Sequence, residues 1–376
     1  MNPSTINSSQ MEWRRYSTLL ALIVLFIVLG IITKGDFFLA RNFTNLTRQV
    51  SVNGILSIGM TLVILTAGID LSIGSIVALS GVVAGLLQVN MGLQDAGIWG
   101  AVISITASVA TGLLAGTVNG ALIAFFRIPP FVISLGMMVI AAGGALIISN
   151  AQAISPMSPE LKVLAKGMLP IWLTSIIFAG CFAFWLKRAY QQFSFAPRTL
   201  FFLTLEASAL IFPAFWFIGD QGIPYPTLIM FIIAAMVIWF LKNTVLGRNI
   251  YAVGGNEEAA HLCGINVPKT KWFVYSFMGF LAGLAGVILA SRLNSASPNI
   301  GTLMELDAIA AVVIGGTSLM GGAGTVGGSL IGAFLIGTLN NGMDLLEIDS
   351  NYQMVIKGII IIFAVWSDSK GKRRSS

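Results

Sequence analysis

The chain is poor in charge. Of its 376 residues only 10% are Asp, Glu, Lys or Arg, against roughly 25% in an ordinary globular domain. With 56% hydrophobic residues, a soluble fold of this length could not hide its apolar surface, because part of any globule faces water. Cysteine is almost missing. Cys181 falls in an apolar run and Cys263 in a polar loop, which excludes a disulfide framework and a cysteine metal spacing. His261 is the one histidine, so histidine-rich metal chemistry has no ligands. No cofactor or metal is expected on this chain. A phosphate loop is missing too. The glycine run from Gly315 to Gly324 lacks the Gly-Lys-Ser/Thr ending, and with it the lysine and the magnesium hydroxyl. It reads as close helix packing or a tight turn, and the chain is not expected to hydrolyse ATP.

What is present is apolar length. A bilayer solvates apolar side chains directly, and the 41 glycines suit membrane helices, which pack closely through small residues. The formal charge of +6 does not point to nucleic acid. The basic residues are scattered through short loops between apolar runs, the pattern of topology signals. The fold class expected is an all-α polytopic membrane protein.

A crossing helix needs about 20 apolar residues. On that scale the runs place spans near 17–33, 50–67, 71–89, 98–124, 131–149, 169–187, 199–218, 225–241, 272–292, 303–318, 324–341 and 352–368. Several are short or broken by glycine, so the count lies between ten and twelve. Arg14 and Arg15 precede the first run and no small-residue cleavage site follows it, so it reads as an uncleaved span rather than a signal peptide. This divides the chain into a tail (1–16), a transmembrane domain (17–368) and a basic tail (369–376). With the N-terminus cytoplasmic, the inner segments hold fourteen Lys and Arg and the outer ones six, in the direction of the positive-inside rule. Both termini are then cytoplasmic. Arg41 and Arg48 run against the rule. A faint repeat pairs Gly116-Thr-Val-Asn-Gly120 with Gly337-Thr-Leu-Asn-Asn-Gly342, in spans of opposite direction, as in transporters built from inverted repeats. Chance similarity between glycine-rich helices is the other reading.

The largest inner loop, 242–271, is the most informative stretch. Asn256 is a good N-cap, Glu257 and Glu258 would sit at the positive end of a helix dipole, and Gly264 suits a left-handed stop. The product is a short, firmly ended helix, with Gly254 and Gly255 letting the chain turn into it. Such an element is either a structured connector or a docking helix, since long loops in compact proteins are often functional.

Val253-Gly-Gly-Asn-Glu-Glu-Ala-Ala followed by Cys263-Gly-Ile-Asn resembles the cytoplasmic loop of the monosaccharide ABC permeases, the family of ribose, galactose, arabinose and xylose importers. Three further stretches agree: Leu65-Thr-Ala-Gly-Ile-Asp-Leu-Ser-Ile-Gly-Ser75, Glu305-Leu-Asp-Ala-Ile-Ala-Ala311 and Gly315-Gly-Thr-Ser-Leu-Met-Gly-Gly-Ala-Gly324. The likeness runs from about Arg41 to Asp368. It is nearest to the xylose-importing members, which share the additional apolar material around 169–218, Gly222-Ile-Pro-Tyr-Pro226 and the Trp366-Ser-Asp368 ending.

The resemblance implies the membrane subunit of a bacterial inner-membrane importer, working as a homodimer with D-xylose as its sugar. A separate ATP-binding subunit would carry ATP and magnesium, and a periplasmic sugar-binding protein would deliver the substrate. Gly255, Asn256, Glu257, Glu258, Ala259, Ala260 and Gly264 inherit the role of an ATPase-coupling helix. An ion-coupled secondary sugar transporter is the competing class.

Carboxylates in apolar runs usually face a pathway or a partner, because burial at the bilayer centre costs roughly 2.5–3.5 kcal/mol. Asp70, Asn119, Glu305 and Asp307 are therefore candidate pathway residues. The alternatives are a helix cap at Asp70, a dipole-favoured first turn at Glu305 and Asp307, and hydrogen bonding between helices at Asn119 and Asn340. Glu206 is expected to face a neighbouring helix.

Overall fold

A computed structural model describes residues 8–192, 207 and 211–373. The expected span 199–218 and Glu206 fall largely outside them. Among the described residues the regular structure is helical: α1 (Ser8–Ile32), α2 (Ala40–Leu65), α3 (Ile73–Gly85), α4 (Gly97–Phe125), α5 (Pro130–Ser149), α6 (Pro159–Lys166), α7 (Ile171–Gln192) and α8 (211–219). After these come α9 (Tyr225–Asn243), α10 (Val245–Gly255), α11 (Glu257–Leu262), α12 (Val267–Leu293), α13 (Met304–Ile314), α14 (Val326–Leu345) and α15 (Ser350–Arg373). A π turn, Leu86–Asn90, extends α3. Six described helices are long and apolar enough to cross a membrane, and Thr18–Ile32 and Ile171–Lys187 form shorter apolar helices.

Burial separates an axis from a sheath. The apolar window of α2 is 89% buried and that of α12 is 72% buried, against 17% for α5, so α2 and α12 form the core while α5 turns most of its surface outward. The two axial helices are antiparallel: Gly59 of α2 lies against Met278 and Leu281, and Gly68, just past its end, against Tyr275. The closest seam joins α4 to α12. Gly112, Gly116 and Gly120 recur every fourth residue, the first two opposite Gly279 and Gly283 and the third opposite Trp272, and a Cβ on Gly112 or Gly116 would strike the α12 backbone. This is the small-residue packing that membrane helices use where water gives no drive for association.

The order long buried helix, non-helical break, shorter helix, long helix occurs twice. It runs α2, 66–72, α3, α4, and again α12, 294–303, α13, α14. Helix α4 runs antiparallel to α12, whereas α14 runs antiparallel to α2 and α13; α4 and α14 therefore run in opposite directions. The two Gly-Thr-x-Asn stretches lie on these two helices, so the short repeat sits within a larger architectural one.

Several boundaries depart from expectation. The run 303–318 is not one crossing helix. Only α13 is helical there, and its 11 residues rise about 16 Å, roughly half the hydrocarbon thickness. The chain reaches it by a non-helical stretch of turns that passes down α3: Ala296 touches Gly85, Ile300 touches Gly81 and Gly301 touches Gly74. Helix α2 begins ten residues before its expected start because its polar first turns find partners. Asn42 exchanges a pair of amide hydrogen bonds with Asn341 (3.1 and 3.0 Å), and Arg48 Nη2 donates to the Lys166 carbonyl (3.1 Å). The expected tails are partly helical as well, since α1 starts at Ser8 and α15 reaches Arg373.

Candidate docking face and buried polar clusters

The 242–271 loop folds into two helices. Thr244 ends α9 and caps α10, its hydroxyl accepting from Gly247 N–H (3.0 Å). Asn256 closes α10 and opens α11, its Oδ1 accepting from Ala259 N–H (2.9 Å). Glu257 and Glu258 occupy the first turn of α11 and His261 the last. Beyond it Gly264 adopts φ +82, the left-handed conformation that ends helices at glycine. One part of the reading is corrected: Gly254 and Gly255 are the last residues of α10 rather than a turn. Gly254 is glycine because its Cα presses against the Leu65 carbonyl and Gly322 N.

Residues Gly255 to Ala259 are exposed, as is Gly264, and Leu262 is 80% exposed, while Ala260 points inward. Ala260 joins Val253 and Val267 in a small buried cluster with Ile265 packed on it. Two ties fix this unit to the bundle. Lys271 Nζ on α12 contacts Glu257 Oε2 at 2.6 Å. Tyr251 of α10 donates its hydroxyl hydrogen to the Gly324 carbonyl (3.0 Å) in the loop after α13, and burial pushes its pKa up. Gly322 N–H in turn donates to the Leu65 carbonyl (3.0 Å). Beside α11 a cavity of about 640 Å³ opens toward the α4–α5 connection, with Arg127 and Pro129 on one wall and Glu258, His261 and Lys271 on the other. The loop thus presents an exposed, capped helix on an apolar footing beside a charged recess.

The intramembrane candidates form two separate clusters. At the break between α2 and α3, Asp70 is 1% exposed. Its Oδ1 accepts from Ser72 N–H (2.9 Å) and Ser72 Oγ (2.6 Å), and Ser72 Oγ accepts from Asn119 Nδ2 (2.9 Å). The carboxylate thus organises the turn into α3 while α4 clasps that turn from outside. Asp70 Oδ2 and Asn119 Oδ1 have no hydrogen-bond partner among the described residues.

The second cluster lies in the other repeat. Asp307 of α13 is 7% exposed, and its Oδ2 accepts from Lys357 Nζ of α15 at 3.3 Å. Glu305 stands apart at the head of α13, half-buried, with its carboxylate against Gly74. Asn119 ties α4 to the turn that opens α3, Asn340 is buried on α14, and Asp70 and Asp307 belong to separate clusters. Sequence reasoning missed Ser72 and Lys357. Asp70-x-Ser72 has the spacing of a side chain that bonds the backbone two residues on, but nothing local to Lys357 names its partner fifty positions away.

On the side opposite α11, Arg41, Arg48, Asp220 and Gln221 line a polar cavity of about 370 Å³. The two arginines that break the positive-inside pattern therefore belong to a built site.

Residues 42–365 match the family described as branched-chain amino acid transport system / permease component. The xylose transport system permease protein of Escherichia coli K12 is 38% identical over 365 residues, covering 94% of this chain and 91% of that protein. The chain belongs to this permease family. The Haemophilus influenzae xylose transport system permease protein is 37% identical over 370 residues, covering 96% and 97% of the two chains. The ribose import permease protein of Escherichia coli K12 is 38% identical over 353 residues, covering 94% and 93%. No solved structure matches the chain. Its relatives are thus sugar permeases, and it is a multi-pass permease subunit rather than an enzyme. Overall identity does not separate xylose from ribose.

Proposed function

We propose that this chain is the membrane subunit of an ATP-driven importer that carries D-xylose across a bacterial inner membrane. The observation that carries the proposal is α11: an exposed, capped helix braced on a buried footing, within a chain 38% identical to xylose and ribose permeases. In this reading α11, with Gly255 to Ala260 and Gly264, docks in a groove of a separate ATP-binding subunit that holds ATP and magnesium. The side of α10 and α11 is cytoplasmic, both termini lie there, and two copies of the chain form the pathway. A soluble sugar-binding protein delivers substrate to the opposite face, where Arg41 and Arg48 stand.

The closing and opening of the ATPase pair would move α11, and the bracing by Lys271 and Tyr251 would pass that motion to α12 and to the break regions. Sugar can bias such a switch only through different affinity for its two states. Of the four intramembrane candidates, Glu305 is the one we assign to the pathway, being half-buried at the head of a half-helix. Asp70, Asn119 and Asp307 hold the broken segments that shape the path.

The test is reconstitution with the ATP-binding subunit and the sugar-binding protein, comparing ATPase activity with D-xylose and with ribose. Stimulation by xylose that is lost when α11 is altered is the expected result. Coupling that survives alteration of Asn256 to Gly264 would sink the docking role. The buried Asp70 carboxyl favours a second reading, an ion-coupled sugar transporter. Uptake driven by a proton or sodium gradient with no ATPase present would establish it instead.

A further inference from the structure

A groove of about 480 Å³ runs between α9 and α12 with Leu62 of α2 at its floor. Its walls are Ala235, Met236, Trp239 and Phe240 on one side and Phe273 and Phe277 on the other. The rings form a ladder: Phe240 to Phe273 at 5.6 Å between centroids, then Phe273 to Phe277 and Phe277 to Phe280 at 6.0 Å each, both stacked. Trp239 is 63% exposed at the edge.

The end of this groove nearest α10 and α11 carries positive charge. Lys269, Phe273, Phe277 and Phe280 follow one another at intervals of four, four and three residues, so they share one face of α12. Lys242 follows Ala235 and Trp239 in the same way on α9. Both lysines are exposed, and neither has an ion-pair partner among the described residues. Lys242 lies in the last turn of α9, two residues before Thr244, the cap of α10, whose N-terminal dipole adds positive potential.

The dimensions select the occupant. From Lys269 to Phe280 the helix rises about 16 Å, close to the roughly 15 Å of one leaflet of a 30 Å hydrocarbon core. A lysine pair sits at one end of an apolar, ring-lined channel one leaflet deep. Basic pockets between membrane helices at a headgroup level take acidic headgroups, and the ladder matches a chain of methylenes. We propose that this groove is a binding site for an anionic phospholipid of the leaflet on the α10–α11 side, with its phosphate on Lys242 and Lys269 and one acyl chain along Phe273, Phe277 and Phe280. The proposal does not depend on the transport reading.

The experiment uses Trp239 as a local probe. The full chain is placed in nanodiscs of phosphatidylcholine containing a minor fraction of phosphatidylglycerol, with bromine on the acyl chains of one lipid or the other. Subtracting the quenching of the Trp239→Phe variant isolates the groove. Brominated phosphatidylglycerol should quench the Trp239 component at least twofold more than brominated phosphatidylcholine at the same mole fraction. The Lys242→Gln/Lys269→Gln variant should abolish the difference, and Ala235→Phe, which fills the groove, should reduce quenching by both lipids. Equal quenching by the two lipids in the wild-type protein, or a preference that survives loss of both lysines, would overturn the site. So would a Trp239 that neither lipid reaches because a second copy of the chain covers it, seen as a cross-link through a cysteine placed at Ala235.

Discussion

Asp70 and Asp307 occupy matching places in the two repeats. Each lies at the non-helical break or one turn past it, and each is almost fully buried. Among the described residues only Asp307 of the two has a cation. Lys357 arrives from α15, whereas Asp70 has Ser72, itself held by Asn119, and an oxygen without a partner among the described residues. The same architectural position is therefore filled by an ion pair in one half and by a hydrogen-bonded turn in the other. The difference teaches where each half can give way. A buried pair fails severely when one member is removed, because the survivor is left uncompensated; a hydrogen-bonded turn tolerates a neutral replacement that keeps its acceptor.

The largest effect should come from Lys357→Ala, which strands Asp307. We expect a loss of about 3 kcal/mol or more, read as a fall in thermal midpoint in detergent. Adding Asp307→Ala should restore part of it. Equal loss in the single and double variants would show that the ion pair is not what fails. Next comes Gly116→Leu, which drives a side chain into the α12 backbone. A cost of about 1–3 kcal/mol or more is typical of overpacking, with the permease aggregating on size exclusion. A variant that melts like the parent would refute the close α4–α12 seam.

Asn256→Ala tests the docking helix and should cost about 1 kcal/mol through the lost cap. Because α11 is peripheral, global melting should barely change while amide exchange in 257–262 rises; unchanged exchange would contradict the capping role. The smallest effect belongs to Asp70→Asn. The amide oxygen can still accept from Ser72, so we expect a shift within about 1 kcal/mol, far below that of Lys357→Ala. If Asp70→Asn proved as damaging, the two clusters would not differ as described.

Local signals were legible and long-range ones were not. The membrane class follows from composition, and α11 from Asn256, Glu257, Glu258 and Gly264, each of which acts within one turn. The run 303–318 read as one crossing helix because its composition is uniformly apolar; its division depends on Gly301 fitting against Gly74, which no local pattern records. The early start of α2 was hidden for a similar reason. Asn42 and Arg48 look like loop residues until Asn341 and the Lys166 carbonyl are beside them. Gly254 and Gly255 read as a turn because glycine permits both a turn and a close approach, and the nearness of Leu65 and Gly322 decides between them. Of the candidate site, the capped helix α11 could be placed by residue, whereas the Lys357 partner of Asp307 could not.

In the proposed function this permease takes its energy from another chain through α11. The most direct measurement is uptake of labelled D-xylose into proteoliposomes containing this chain, its ATP-binding subunit and its sugar-binding protein. Uptake should require ATP and all three proteins, and should fall at least tenfold when Asn256 to Gly264 is replaced by a flexible linker of the same length. Uptake by this chain alone under an ion gradient, or ATP-driven uptake that persists with the linker, would contradict it.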